Sequence, residues 1–167
     1  ESVIDHFTAA GFSPLYDAER QDWAPDLAEG IIGVDRLPRL MWSSEVAGRV
    51  TAAAAAETGL AEGTPVTCGT IDAAAEAVSV GVTRAGEMMM MYGSTIFIIA
   101  LTGAQVGDAR LWYAPWLFPG LHTSMAGLAT SGTLTHWFRD VLAREIPEGE
   151  AWERLAAEAA GSRPGAN

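Results

Sequence analysis

The sequence predicts an α/β fold, and three features carry that prediction. A short strand-like stretch, "PVTCG", runs straight into the alanine-rich helical stretch "IDAAAEAVSVG". Two short apolar runs, "MMMMY" and "IFIIALT", carry apolar residues on both faces, as strands buried on both sides do. Two helical stretches, "SGTLTHWFRDVLARE" and "EGEAWERLAAEAAG", then close the chain.

The elements follow in order. Residues 1–40 are turn-rich, with a short helix expected over Asp26 to Ile31 that ends near Gly33. "SSEVAGRVTAAAAAETGL" reads as one helix: Ser43 or Ser44 caps it, Glu45 complements its positive end, alanines fill its body and Gly59 stops it. "GTPVTCG" is a short strand after a turn, and "IDAAAEAVSVG" a helix ending at Gly81. The polar "VTRAGE" is a suitable crossing between two domains. "MMMMY" and "IFIIALT" form a hairpin around Gly93, Ser94 and Thr95. "RLWYAPWLF" and "LHTSMAGLA" are further strands. The next helix sets Leu134, Trp137, Phe138, Val141 and Leu142 on one face, and the last is closed by Gly161.

Composition narrows the function. Ten basic and 21 acidic residues give a formal charge of -11, which disfavours an electrostatic grip on nucleic acid or an anionic membrane. An apolar content of 49% in 167 residues supplies a core for one ordinary domain or two small lobes. The single Cys68 excludes an internal disulfide and leaves no zinc signature. A cytoplasmic setting is expected. The longest apolar run, Met88 to Leu101, is broken by Gly93, Ser94 and Thr95 and falls short of the ~20 residues a membrane span needs. Both chain ends read as cut from a longer protein, since the sequence starts inside structured text and stops at "GSRPGAN".

Two places can carry chemistry. Asp72 stands where a strand gives way to a helix, a position where aspartate is more often a cap than a catalyst. It is also where ligands of open α/β sheets bind, with Gly69 leaving room for close approach. In "YGST", Gly93 can take backbone angles closed to other residues, and the N–H groups and hydroxyls of Ser94 and Thr95 can hydrogen-bond a phosphate. Small polar residues are equally what a plain hairpin turn contains. The run Met88 to Met91 reads as core strand rather than a sulfur metal site. His6, His122 and His136 are scattered and none is expected to be catalytic, His136 lying on the polar flank of its helix. Trp112, Trp116, Trp137 and Trp152 read as packing residues, and Arg139 with Asp140 as a solvated helix edge.

Taken together, "GTID" at Gly69 to Asp72 and "GST" at Gly93 to Thr95 have the order found at the domain junction of the FGGY carbohydrate kinases, which this chain resembles. "FSPLYD", "IIGVDRLPRLMWSSEVAGRVT", "AAETGLAEGTPVTCGTIDAAAEAVSVGV", "GEMMMMYGST" and "ATSGTLTHWFRD" resemble the family's text in the family's order. The resemblance implies a partial actin-like ATPase (ribonuclease H-like) fold. Residues 1–86 would end the sugar-binding domain and residues 87–167 begin the ATP-binding domain. It implies that Asp72 is the general base for a sugar hydroxyl, that Ile71 and Asp72 face the substrate, and that Gly93, Ser94 and Thr95 face the transferred phosphate of ATP. Carboxylates are ionised at neutral pH, so such a base needs no special environment. Magnesium would come with ATP to neutralise the phosphoryl charge, with no metal ligands expected in this chain.

The family's Asp-x-Gly-Thr phosphate signature and its glycine-rich adenosine site are not in this sequence, so the piece alone is expected to be inactive. Incomplete sheets would leave edges and apolar faces that invite self-association, including a homodimer. Ile71 stands where xylulose kinases tend to carry glycine, which points to a ketopentose or polyol rather than to xylulose in particular. Two other readings stay open: a non-catalytic sensor of the same fold that binds sugar or nucleotide, and an unrelated small α/β domain.

Overall fold

The computed structural model describes residues 2–163 and 165. Among them, no helix is long and apolar enough to cross a membrane. Strand β1 (Val3–Asp5) leads directly into the one-turn helix α1 (His6–Ala9) and a 3-10 turn, Ala10–Phe12. Strands β2 (Tyr16–Asp17) and β3 (Asp22–Trp23) pair antiparallel, and the Asp17 carboxylate closes their turn by accepting the Glu19 and Arg20 N–H groups at 2.9 and 3.0 Å. Helix α2 (Pro25–Ala28) begins at a proline and is shorter than the span expected over Asp26 to Ile31, because the backbone leaves helical angles at Glu29. Strand β4 (Arg39–Met41) returns to lie parallel to β1, with Val3 opposite Arg39 and Asp5 opposite Met41.

The single helix expected from Ser43 to Leu60 is wrong over its first half. Val46–Arg49 is strand β5, paired antiparallel with β6 (Pro65–Thr67) through a bulge between Val46 and Gly48; only α3 (Ala52–Thr58) is helical. Valine and glycine are weak helix formers, and a partner strand some twenty residues on offers them a ladder. The pairing continues past the strands, with Val50 N–H on Thr64 O at 2.9 Å and Gly63 N–H on Val50 O at 2.8 Å. Thr51, rather than Ser43 or Ser44, is the cap: its Oγ1 accepts the Ala54 N–H at 3.2 Å. Gly59 ends α3 as expected.

Helix α4 (Asp72–Ser79) buries Ala74 and Ala77, three residues apart on one face. Strands β7 (Met88–Tyr92), β8 (Ile96–Thr102), β9 (Trp112–Pro115) and β10 (His122–Leu128) form one sheet in the order β7-β8-β10-β9. Strands β9 and β10 are antiparallel, with His122 opposite Pro115 and Met125 opposite Trp112. The methionine run is not core strand: β7 is an edge, where only Met89 is buried and Met88, Met90, Met91 and Tyr92 are exposed. Strand β8 buries Ile99 and Leu101, worth ~1.5–3 kcal/mol each when fully covered.

Two compact units result. The first runs to Met90 and takes in Ile98–Ala126; the second takes in Met91–Phe97 and the chain from Gly127 onward. In the first, Phe7 meets the fully buried Trp116 edge-on at 5.6 Å, a contact worth ~0.5–1.5 kcal/mol beyond its burial. Thr123 is also buried in this unit, and its hydroxyl donates to Ala114 O at 2.8 Å. In the second, helices α5 (Gly132–Leu142) and α6 (Glu148–Ala160) share a small core of Ala143, Ile146 and Ala151 with Leu155 against it. The expected apolar face of α5 is present but uncovered: Leu134, Trp137, Phe138, Val141 and Leu142 are all exposed. His136 meets the Trp152 ring edge-on at 4.9 Å, and the Arg139 guanidinium lies 5.2 Å from the same ring while bonding Asp140 at 2.7 Å. That hydrogen bond holds the Asp140 carboxyl below its usual range.

Candidate active site

The Gly69–Asp72 segment is shaped by its neighbours before α4 begins. Beyond β6, the Cys68 N–H donates to Glu45 O at 2.9 Å and the Gly69 N–H to Ser43 O at 3.1 Å, so the chain stays pinned to the segment after β4. Gly69 has φ +75°, a left-handed conformation that turns the chain toward the helix and strains any residue with a β-carbon. Ile71 is the N-cap residue of α4, and Asp72 is its first helical residue. Asp72 is therefore not the N-cap, although its Oδ1 does accept the Ala73 N–H at 2.7 Å. Its side chain is exposed, as is that of Ile71. Since Ala74 and Ala77 seat the opposite side of the helix, the carboxylate is presented outward from a fixed first turn. Burial pushes the neighbouring Cys68 thiol up, away from the thiolate a nucleophile needs.

The Gly93–Thr95 turn lies in the second unit, whereas Gly69–Asp72 lies in the first. The turn is closed by Gly93 N–H on Thr95 O at 2.9 Å, and all three residues are exposed. Gly93 does not use the left-handed freedom expected of it. The tight position is Gly132, which the sequence reading placed in a helix but not in a site. Its N–H donates to Gly93 O at 2.9 Å, the Ser131 N–H donates to Ser94 O at 2.8 Å, and the Thr133 hydroxyl reaches Ser94 O at 3.4 Å. A β-carbon on Gly132 would stand 2.6 Å from Gly93 O, so only glycine permits this approach.

The "YGST" turn is thus docked on the N-terminus of α5, its Ser94 and Gly93 carbonyls taking up the Ser131 and Gly132 N–H groups that lack helical acceptors. Ser131 is 6% exposed, and its Oγ has no hydrogen-bond partner. A buried, unpaired hydroxyl is costly and marks a place where a ligand group can complete the bonding. The signal was legible in "TSGT", which repeats the small polar composition of "YGST" just before a helix. The exposed hydroxyls of Ser94 and Thr95 are the groups that fit a phosphate.

The remaining candidates are structural. His6 Nδ1 is 2.9 Å from the Tyr16 hydroxyl, and His122 Nδ1 is 2.8 Å from that of Tyr113. Trp116 is core, and Trp152 meets His136 edge-on within the second unit. Among the described residues no three His, Cys, Asp or Glu side chains cluster so as to hold a metal ion.

Residues 1–79 match the N-terminal domain of the FGGY family of carbohydrate kinases. An autoinducer-2 kinase from Enterobacter sp. (strain 638) is 31% identical over 156 residues, covering 91% of this chain and 28% of that protein. The crystal structure of xylulose kinase from Rhodospirillum rubrum superposes with a TM-score of 0.83 at 32% identity, covering 98% of this chain and 33% of that one. Plasmodium falciparum glycerol kinase with ADP, at 17% identity and a TM-score of 0.71 over 88% of this chain and 30% of its own, shares the fold. The chain spans about a third or less of these proteins' lengths. These likenesses support an FGGY carbohydrate kinase fragment, and the chain shares the actin-like ATPase fold of its structural neighbours.

Proposed function

We propose that this chain works within a longer polypeptide as part of an ATP-dependent kinase for a ketopentose or polyol. Asp72 is the general base: it orients an acceptor hydroxyl and takes its proton as the oxygen bonds to the γ-phosphorus and the bond to ADP breaks. The observation that carries this reading is the exposed Asp72 carboxylate, set in the first turn of α4 five residues after β6 ends at Thr67. Gly93, Ser94 and Thr95, joined by Ser131 and Gly132, face the phosphates of ATP. The exposed hydroxyls of Ser94 and Thr95, with the unpaired Ser131 Oγ, support that role. Ile71 lines the sugar side next to Asp72. ATP brings its magnesium with it, and use of ATP places the reaction in the cytoplasm.

We place the junction of the sugar-binding and ATP-binding domains between residues 86 and 87, which the family match over residues 1–79 supports. Compactness alone groups Ile98–Ala126 with the first unit, so the boundary rests on the sequence. The 167-residue chain by itself is inactive in this reading, because its relatives are about three times as long.

The test is ATP consumption by the full-length protein against ketopentoses, aldoses and polyols, wild type beside Asp72→Asn. Acceptor-dependent turnover that the substitution abolishes is the expected result. Sugar binding without turnover in the wild type would overturn the kinase reading in favour of a sensor.

A further inference from the structure

We propose that Asp5 is a positioning residue for Asp72, holding the Gly69–Asp72 turn through the hydroxyl of Thr70; the catalytic consequence rests on the kinase reading above. Asp5 ends β1 and is 3% exposed, so its carboxylate must find partners inside the protein. An aspartate just before a helix ordinarily caps it, and Asp5 occupies the N-cap position of α1. It makes no side-chain hydrogen bond to that helix's backbone. The carboxylate instead accepts three hydroxyls from three separate segments: Thr8 Oγ1 on Oδ1, and Ser43 Oγ at 3.2 Å and Thr70 Oγ1 at 3.0 Å on Oδ2.

Two of those three hydroxyls lead to the motif. Thr70 lies two residues before Asp72, and Ser43 uses its own carbonyl to accept the Gly69 N–H at 3.1 Å. Asp5 therefore grips Gly69 through Ser43 and Thr70 directly, on either side of one peptide bond. Gly69 itself, with φ +75°, is the flexible point that such a grip restrains. Nothing in α4 replaces it, because the helix starts at Asp72 with an N-cap residue, Ile71, that makes no side-chain cap bond.

The experiment uses the full-length protein and two readouts, steady-state kinetics and amide hydrogen exchange. Thr70→Val keeps the shape and removes the hydroxyl, Thr70→Ser keeps the hydroxyl, and Asp5→Asn keeps one acceptor oxygen. A base displaced by a fraction of an ångström to an ångström slows the chemical step by about 10- to 100-fold. Thr70→Val is expected to lose kcat on that scale with an unchanged KM for ATP, and its Gly69–Ala73 amides exchange faster while those of Ile99 and Leu101 do not. Thr70→Ser restores both, and Asp5→Asn falls between. Wild-type kcat and exchange in Thr70→Val, or equal impairment of Thr70→Val and Thr70→Ser, would overturn the inference. Should the wild type phosphorylate nothing, the kinase reading and the catalytic consequence fall, while exchange, which needs no substrate, still decides whether Asp5 anchors the turn.

Discussion

The Gly132 amide donates to the carbonyl of Gly93 at 2.9 Å, and a β-carbon on Gly132 would sit 2.6 Å from that same oxygen. One contact thus joins the start of α5 to the turn that carries Ser94 and Thr95, and it leaves no room for a side chain. Gly132→Ala must push the turn or the helix aside, because the atom it meets is backbone. We expect a loss of about 1–3 kcal/mol, the usual cost of overpacking. Urea unfolding followed through tryptophan fluorescence checks it, and a wild-type midpoint would mean the contact is loose.

Ser131 should behave in the opposite way. Its buried Oγ is unpaired, so Ser131→Ala removes a desolvated hydroxyl and leaves stability unchanged or raised by up to about 1 kcal/mol. If that hydroxyl serves the phosphates of ATP, KM for ATP rises severalfold in the full-length protein. A stabilised variant with an unaltered KM would leave Ser131 as packing alone.

Asp72→Asn keeps the size of the side chain and its bond to the Ala73 N–H, and it loses the charge. Removing an acid from the first turn of a helix costs about 0.3–1 kcal/mol. A general base contributes about 10²–10⁴ in rate, so kcat in the full-length protein should fall on that scale while folding is almost unaffected. A loss below about tenfold would assign Asp72 to the helix end only.

Acid should destabilise the first unit before its carboxylates titrate. Burial holds the His6 pKa below its ordinary 6.5, against the opposing pull of Asp5, Glu45 and Asp22. The unfolded chain therefore binds a proton that the folded chain refuses. Stability from this group is complete above pH 6.5 and is lost as pH falls from there through the folded pKa. Thermal melts of wild type and His6→Gln between pH 7.5 and 5.5 should show the wild type losing more. Parallel slopes would remove His6 as the cause. The Glu87 carboxyl, held low chiefly by the Thr83 and Arg84 N–H groups, gives its own loss only in the more acidic range below its ordinary 4.5.

The isolated 167-residue chain should self-associate. Strand β7 is a sheet edge with Met88, Met90 and Met91 exposed, and α5 leaves five large apolar side chains uncovered. Light scattering over a concentration series should show dimers or larger species, and Met90→Glu should shift them toward monomer. A monomer at all concentrations would contradict this.

Helix α4 after "GTPVTCG", the β7–β8 hairpin around "GST" and the Gly59 stop were legible because each depends on residues adjacent in the chain. The runs Gly69 to Asp72 and Gly93 to Thr95 were legible as a turn before a helix and a turn between strands for the same reason. Propensity misled at Val46–Arg49, since the neighbouring alanines argued for helix while the deciding hydrogen bonds lie with Pro65–Thr67.

By itself the sequence determined an α/β chain with a carboxylate after a strand end and a glycine-hydroxyl turn. Only the tertiary structure decided what supports them. It put Asp5 on Thr70 across 65 positions, set Ser131 and Gly132 against Gly93 and Ser94, and left the methionine strand at an edge. Composition and periodicity report what one stretch of chain favours. Which distant backbone or hydroxyl it meets, and which face is covered, depends on partners that no local window contains.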